Sequence, residues 1–260
     1  MNEERFTGLS DLYDKYRPVY PSALIEYLYK NCGFKNGSVI ADVGSGTGIF
    51  TRRLLEKGSL VYGVEPNADM RNAAEANLKE FDNFASVAAP AEKTGLPNGS
   101  VDFVTAAQAA HWFDAELFRA ECKRILRPGC KMEASLPCKL ALVWYERDQE
   151  CEIIKRDYAI REKYCAPDKK GLGENGGPNT DKSKFFSDGI YKEKIFTVHE
   201  RYSRESYIGR NLSASYAPKK ERDPEKHRAC VRELGELFDE FADNGYIIYL
   251  YKMRLFFGSV

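Results

Sequence analysis

A chain of 260 residues, 43% hydrophobic and 13% aromatic, is long enough to bury a full core, as one large domain or as one domain with an inserted cap. Its 39 acidic residues balance 39 basic ones, which argues against a general nucleic-acid or membrane surface, and no run of about 18 apolar residues offers a membrane span. The charged start has no apolar signal segment, and seven cysteines without a C-x-x-C pair or Cys/His zinc spacing fit a reduced cytoplasm better than a disulfide framework or a metal site.

Asp11–Pro21 carries aromatics and two prolines and reads as an ordered arm. Ser22–Asn31 follows as a helix packed on a sheet, with Ser22 the candidate N-cap. Val39–Val43 suits a strand buried on both faces and runs into Gly44-Ser45-Gly46-Thr47-Gly48. Ile49–Lys57 then has helical spacing, so the unit is strand, tight loop, helix, whose free N–H groups suit a polar ligand. The third glycine comes one residue too early for the dinucleotide fingerprint G-x-G-x-x-G.

Leu60–Val64 is a second apolar strand, ending at Glu65, where a carboxylate can accept both hydroxyls of a ribose. A helix over Ala68–Lys79, a strand over Phe84–Ala89, a polar loop to Gly99 and a strand over Val101–Ala106 come next. The run Ala107-Gln108-Ala109-Ala110-His111-Trp112-Phe113-Asp114 then falls at the carboxyl edge of the sheet, where open α/β sheets bind ligands. His111, with an ordinary pKa of about 6.5, can deprotonate an acceptor or simply hydrogen-bond the loop, the cofactor or the substrate; Trp112 can contact substrate or fill core.

Glu116–Leu126 is an amphipathic helix stopped by Arg127-Pro128-Gly129. Cys130–Pro137 has no evident role before the strand Lys139–Tyr145. A helix over Gln149–Tyr164, a polar glycine-rich loop over Ala166–Asp188, a strand over Tyr191–Glu200 and a capped helix from Ser203 follow; the stretch Lys169–Asp188 can act as a lid or be a plain solvated loop. Arg210, Ser213, Ser215 and Tyr216 can hydrogen-bond a polar acceptor, although helix capping explains either serine as well. A long helix within Asp223–Asn244 and a strand over Tyr246–Phe257 complete the chain.

The Asp-x-Gly-x-Gly-x-Gly form at Asp42–Gly48 resembles the first motif of the class I S-adenosylmethionine-dependent methyltransferases, and the turn Asn98–Asp102 is similar to that family's entry into its fourth strand. The arm Tyr13–Pro21 and the Gln108–Asp114 run resemble a small-molecule branch of the type 11 methyltransferase domain that includes trans-aconitate methyltransferase-like proteins. The resemblance implies a Rossmann-like α/β fold: a seven-stranded, mainly parallel sheet, helices on both faces, a reversed last strand and a small cap. It implies one methyltransferase domain over 1–260, with an arm and helix at 1–31 over the cofactor site and a cap at 149–220 on the substrate side.

Carried over residue by residue, it assigns S-adenosylmethionine binding to Tyr16, Arg17, Asp42, Gly44, Ser45, Gly46, Gly48, Glu65, Pro66, Met70, Ala91, Glu92 and Gln108. It assigns the substrate to Tyr13, His111, Trp112, Arg210, Ser213 and Tyr216, with no metal. The expected reaction is methyl transfer to a small-molecule acceptor, O-methylation of a carboxylate among the candidates, with S-adenosylhomocysteine as product. A cytoplasmic monomer or homodimer without nucleic-acid or membrane partners is expected, and no Pro-Pro-containing amino-methyltransferase motif occurs. A cofactor-binding sensor without transferase activity is the alternative; a nicotinamide-dependent oxidoreductase is disfavoured by the early third glycine.

Overall fold

The computed structural model describes residues 20–128, 138–148, 150–165, 181–214 and 217–260. One seven-stranded sheet runs in the order β3-β2-β1-β4-β5-β7-β6. Its strands are β1 Val39–Val43, β2 Leu60–Val64, β3 Phe84–Val87, β4 Phe103–Ala107, β5 Leu140–Arg147, β6 Lys192–Tyr202 and β7 Ile247–Gly258. The helices are α1 Ser22–Asn31, α2 Ile49–Leu55, α3 Ala68–Asn77, α4 Ala115–Ile125, α5 Glu152–Tyr164, α6 Arg204–Leu212 and α7 Pro224–Phe241. β1 to β5 pair in parallel, and β7 returns antiparallel between β5 and β6. This is the Rossmann-like sheet with a reversed last strand that the motifs imply.

Alternation along the strands sorts the core into layers. Ile40, Phe103, Ala141 and Leu255 face α1 and α2, meeting Leu24, Leu28, Phe50 and Leu54. Ala41, Val104, Leu142 and Trp144 face the other way, onto Phe118, Cys122 and Ile125 of α4. Both faces of the central strands are thus dry, the pattern a parallel sheet requires. A third cluster joins α5, α6 and α7 to the ends of β6 and β7 through Ile153, Tyr207, Leu234, Phe238 and Tyr249.

The structure moves several expected boundaries. Pro21 rather than Ser22 stands at the N-cap of α1, and the Ser22 hydroxyl accepts from Arg53 instead. Val101 makes only an isolated bridge to Leu126, so β4 begins at Phe103. The loop expected to reach Asp188 ends earlier: Lys182–Phe185 is a 3-10 turn, and Phe185 and Phe186 are wholly buried against the α4 face. Flanking lysines and serines hide that apolar pair in the sequence. Within 149–220, β6 belongs to the sheet; α5 and α6 stand off it and pack with α7, which lies beyond the expected end of the cap. Cys130–Pro137, the arm with Tyr13, Tyr16 and Arg17, the residues Ser215 and Tyr216, and the loop up to Thr180 lie outside the described residues.

Leu54 on α2 is fully buried beneath the glycine loop. Leu54→Ala should cost about 2–5 kcal/mol of unfolding free energy in urea titrations. A loss below about 1 kcal/mol would mean that this face repacks and does not position the loop.

Candidate cofactor and acceptor site

The site begins where β1 ends. Asp42 is 1% exposed and accepts from the Thr51 hydroxyl of α2 at 2.6 Å and the Thr105 hydroxyl of β4 at 2.8 Å. Those two bonds tie three elements together at the root of the glycine loop. Burial pushes the Asp42 carboxyl up to about 6; the two hydroxyls oppose that shift and the Glu65 charge adds to it.

Gly44 and Gly48 are required by crowding. At Gly44, with φ +70°, a Cβ would lie 2.4 Å from Ala109 Cβ; at Gly48, with φ +86°, it would lie 2.7 Å from Leu78. Gly46 differs, because a Cβ there would meet nothing within 4 Å, so its outer face is open. Ser45, half-buried beside it, donates its backbone N–H to Val64 O at 3.2 Å.

Glu65 closes this corner. Its Oε2 accepts the Gly46 N–H at 3.0 Å and its Oε1 accepts the Asn67 N–H at 2.9 Å. Asn67 in turn caps α3 by accepting from Met70 N. Pro66 is half-buried and Met70 only 3% exposed. Ala91 is buried at the adjacent loop, and Glu92 turns to the neighbouring segment, accepting the Asp114 N–H at 2.8 Å. Asp114 itself caps α4.

Gln108 follows β4 with φ +56°, a conformation rarely held by a side chain of this size. Its backbone N–H goes to Val143 O at 2.8 Å, and its Nε2 is buried without a partner. His111 and Trp112 lie half-buried in the next 3-10 turn, their rings 4.7 Å apart. Trp144 on β5 donates its indole N–H to His111 Nδ1 at 3.4 Å. An indole N–H can only donate, so Nδ1 accepts and the neutral ring keeps its proton on Nε2. A base acting through Nε2 would instead carry its proton on Nδ1, facing the indole N–H.

The structure brings Asp42, Gly44–Gly48, Glu65, Pro66, Met70, Ala91, Glu92, Gln108, His111 and Trp112 to one edge of the sheet. Arg210 and Ser213 come from a different element, the last turn of α6 and its C-cap. Ser213 is fully buried and donates to Arg210 O at 2.8 Å, the geometry of the helix-capping alternative. Thr51, Thr105 and Trp144 were missed by sequence reasoning. Thr105 and Trp144 read as ordinary strand residues, and only the pairing of β1, β4 and β5 places them here.

An adenosyl-amino acid fits three features: the open face of Gly46, the Glu65 carboxylate at the end of β2, and the buried amide of Gln108 that lacks a partner. Residues 41–132, from β1 through α4, match the methyltransferase domain family. That stretch, about a third of the chain, is similar to methyltransferase domains. A protein of Dictyostelium discoideum named as a methyltransferase is 32% identical over 175 residues, covering 66% of this chain and 64% of that protein. An uncharacterized methyltransferase of Mycobacterium tuberculosis is 34% identical over 164 residues, 60% of this chain and 61% of that one. The chain thus spans under two thirds of the length of these relatives. A solved structure described as a type II methyltransferase from Anaeromyxobacter dehalogenans superposes with a TM-score of 0.64 over 94% of this chain and 97% of that chain, at 22% identity. That likeness is one of fold. Among the described residues no helix is long and apolar enough to cross a membrane.

Asp42 gives a pH test. Its folded pKa lies above the unfolded value, so its proton is held more tightly in the folded state. The stability it contributes is full below pH 3.8 and is lost as pH rises through about 6. Asp42→Asn removes that titration, so its melting temperature should gain on the wild type as pH climbs from 4 to 7 in scanning calorimetry. A constant difference across that range would show that Asp42 ionises as it does in water.

Proposed function

We propose that this chain transfers a methyl group from S-adenosylmethionine to a small-molecule acceptor, with a carboxylate oxygen the acceptor that the site suits best. The observation that carries the reading is the Glu65 carboxylate, held at the end of β2 by the N–H groups of Gly46 and Asn67. A carboxylate at the end of that strand suits the hydroxyls of a ribose. The open face of Gly46 lets the ligand approach the backbone, Met70 and Pro66 flank the base, and the Gln108 amide gains the partner it lacks. When bound, the cofactor supplies a methyl group on a sulfonium, which is a ready leaving group.

The chain's own work is then positioning and exclusion of water. His111, whose Nδ1 accepts from Trp144, serves in this reading as a donor to the acceptor. A donor suits an acceptor that arrives as an anion and needs no proton removed. Arg17 and Tyr16 on the arm, with Tyr13, complete the cofactor and substrate sides in this reading.

Labelled methyl transfer to a panel of small acids, phenols, thiols and amines tests the function. A product that mild base releases supports a carboxyl ester. Cofactor binding without transfer to any of them favours a sensor. Glu65→Ala should raise the cofactor Kd by more than tenfold in calorimetry, since each bond to a charged acceptor contributes about 1.5–3 kcal/mol; unchanged affinity would remove Glu65 from the site. His111→Gln, which keeps a donor and cannot act as a base, should retain most of the rate that His111→Ala loses. Equal losses in the two variants would restore the base role.

A further inference from the structure

Arg210 stands in the last turn of α6 and is only 5% exposed. Its Nε donates to Tyr251 Oη at 2.9 Å, and its guanidinium lies 5.7 Å from the ring centres of both Tyr145 and Tyr251. Among the described residues no carboxylate pairs with it. The acids near it are engaged elsewhere. Asp157, fully buried, faces Arg147 at 3.8 Å and Arg161 at 3.7 Å and accepts from Tyr249. Glu200 is reached only through two hydroxyls, since Tyr251 bonds to Tyr202 at 3.3 Å and Tyr202 donates to Glu200.

Asp157 thus sits with Arg147 and Arg161, whereas Arg210 faces tyrosines. A cation removed from water without a counter-ion is heavily penalised, and a guanidinium does not escape by losing its proton. Such a group persists when something supplies the missing negative charge.

Position says where that charge comes from. Tyr145, the ring beneath Arg210, lies two residues beyond Val143, whose carbonyl accepts from Gln108 N. It therefore stands at the carboxyl edge of the sheet, beside the strained turn of the cofactor site. Its neighbour Trp144 points to the opposite face and reaches His111. Arg210 and His111 flank one strand end.

We propose that Arg210 is the receptor for an oxyanion carried by the acceptor, a carboxylate or a phosphate, gripped by the Nη fork above the tyrosine row. The identity of the acceptor rests on the methyl-transfer reading; the anion site rests on Arg210 itself. The acceptor lies across the edge of β5, anchored on one side by Arg210 and presented to the methyl donor on the other. Arginine suits this task because its planar fork matches two oxygens at once.

The test is calorimetry on the full chain saturated with S-adenosylhomocysteine, titrated with succinate, benzoate and inorganic phosphate. At least one should bind, and the preference separates carboxylate from phosphate. Arg210→Gln should weaken that binding roughly 10- to 100-fold, leave the homocysteine product's affinity unchanged, and melt no lower than wild type without anion. Arg210→Lys, which keeps the charge in the fold but lacks the fork, should weaken it roughly tenfold. Failure of all three anions to bind, or unchanged anion binding in a folded Arg210→Gln or Arg210→Lys protein, overturns the proposal. Product binding with no anion binding removes the anion site and leaves the methyl-transfer reading intact. The reverse pattern removes the methyl-transfer reading and keeps the anion site.

Discussion

Asp42 is a carboxylate that the fold has taken out of water altogether, with two threonine hydroxyls as its partners. The rest of the site hangs from it. Thr51 brings the start of α2 onto β1, and Thr105 brings β4 alongside, so the glycine loop leaves β1 in one direction only. Desolvation and the nearby Glu65 both work against its ionised form. A charge held under such conditions serves better for binding than for stability, and it sits where a cationic ligand group would relieve it.

Parallel strands then determine which side chains meet. Successive residues on a strand face opposite ways, so Trp144 and Tyr145, adjacent in the chain, serve different layers. Trp144 is buried on the α4 face and orients His111; Tyr145 lies on the α1 and α2 face beneath Arg210. The end of β5 thus links the two flanks of the acceptor site. The reversed strand β7 makes this possible, because it carries Tyr249 and Tyr251 in antiparallel register beside β5 and supplies the aromatic floor under α6.

The glycine loop and the end of β2 were largely legible in the sequence, and the surroundings of His111 and Arg210 were not. Gly44, Gly46, Gly48 and Glu65 announce themselves because their backbone conformation and strand-end position depend on nearby residues. Gln108 and His111 were legible as a cluster, although the tautomer of His111 depends on Trp144, 33 residues away. Ser213 left two readings open because a serine that caps a helix and one that holds a ligand look alike in sequence. Phe185 and Phe186 were folded into a supposed loop because the lysines and serines around them mask an apolar pair too short to show a period.

By itself, then, the sequence determined the α/β class and the strand–loop–helix unit, since each depends on local periodicity, glycine conformation and spacing along one stretch of chain. Tertiary structure alone decided the partners of Asp42, the pairing of Trp144 with His111 and the setting of Arg210, which has no carboxylate partner among the described residues. Those properties belong to pairs of groups far apart in the chain, and whether a buried charge is balanced is known only once every neighbour in space has been placed.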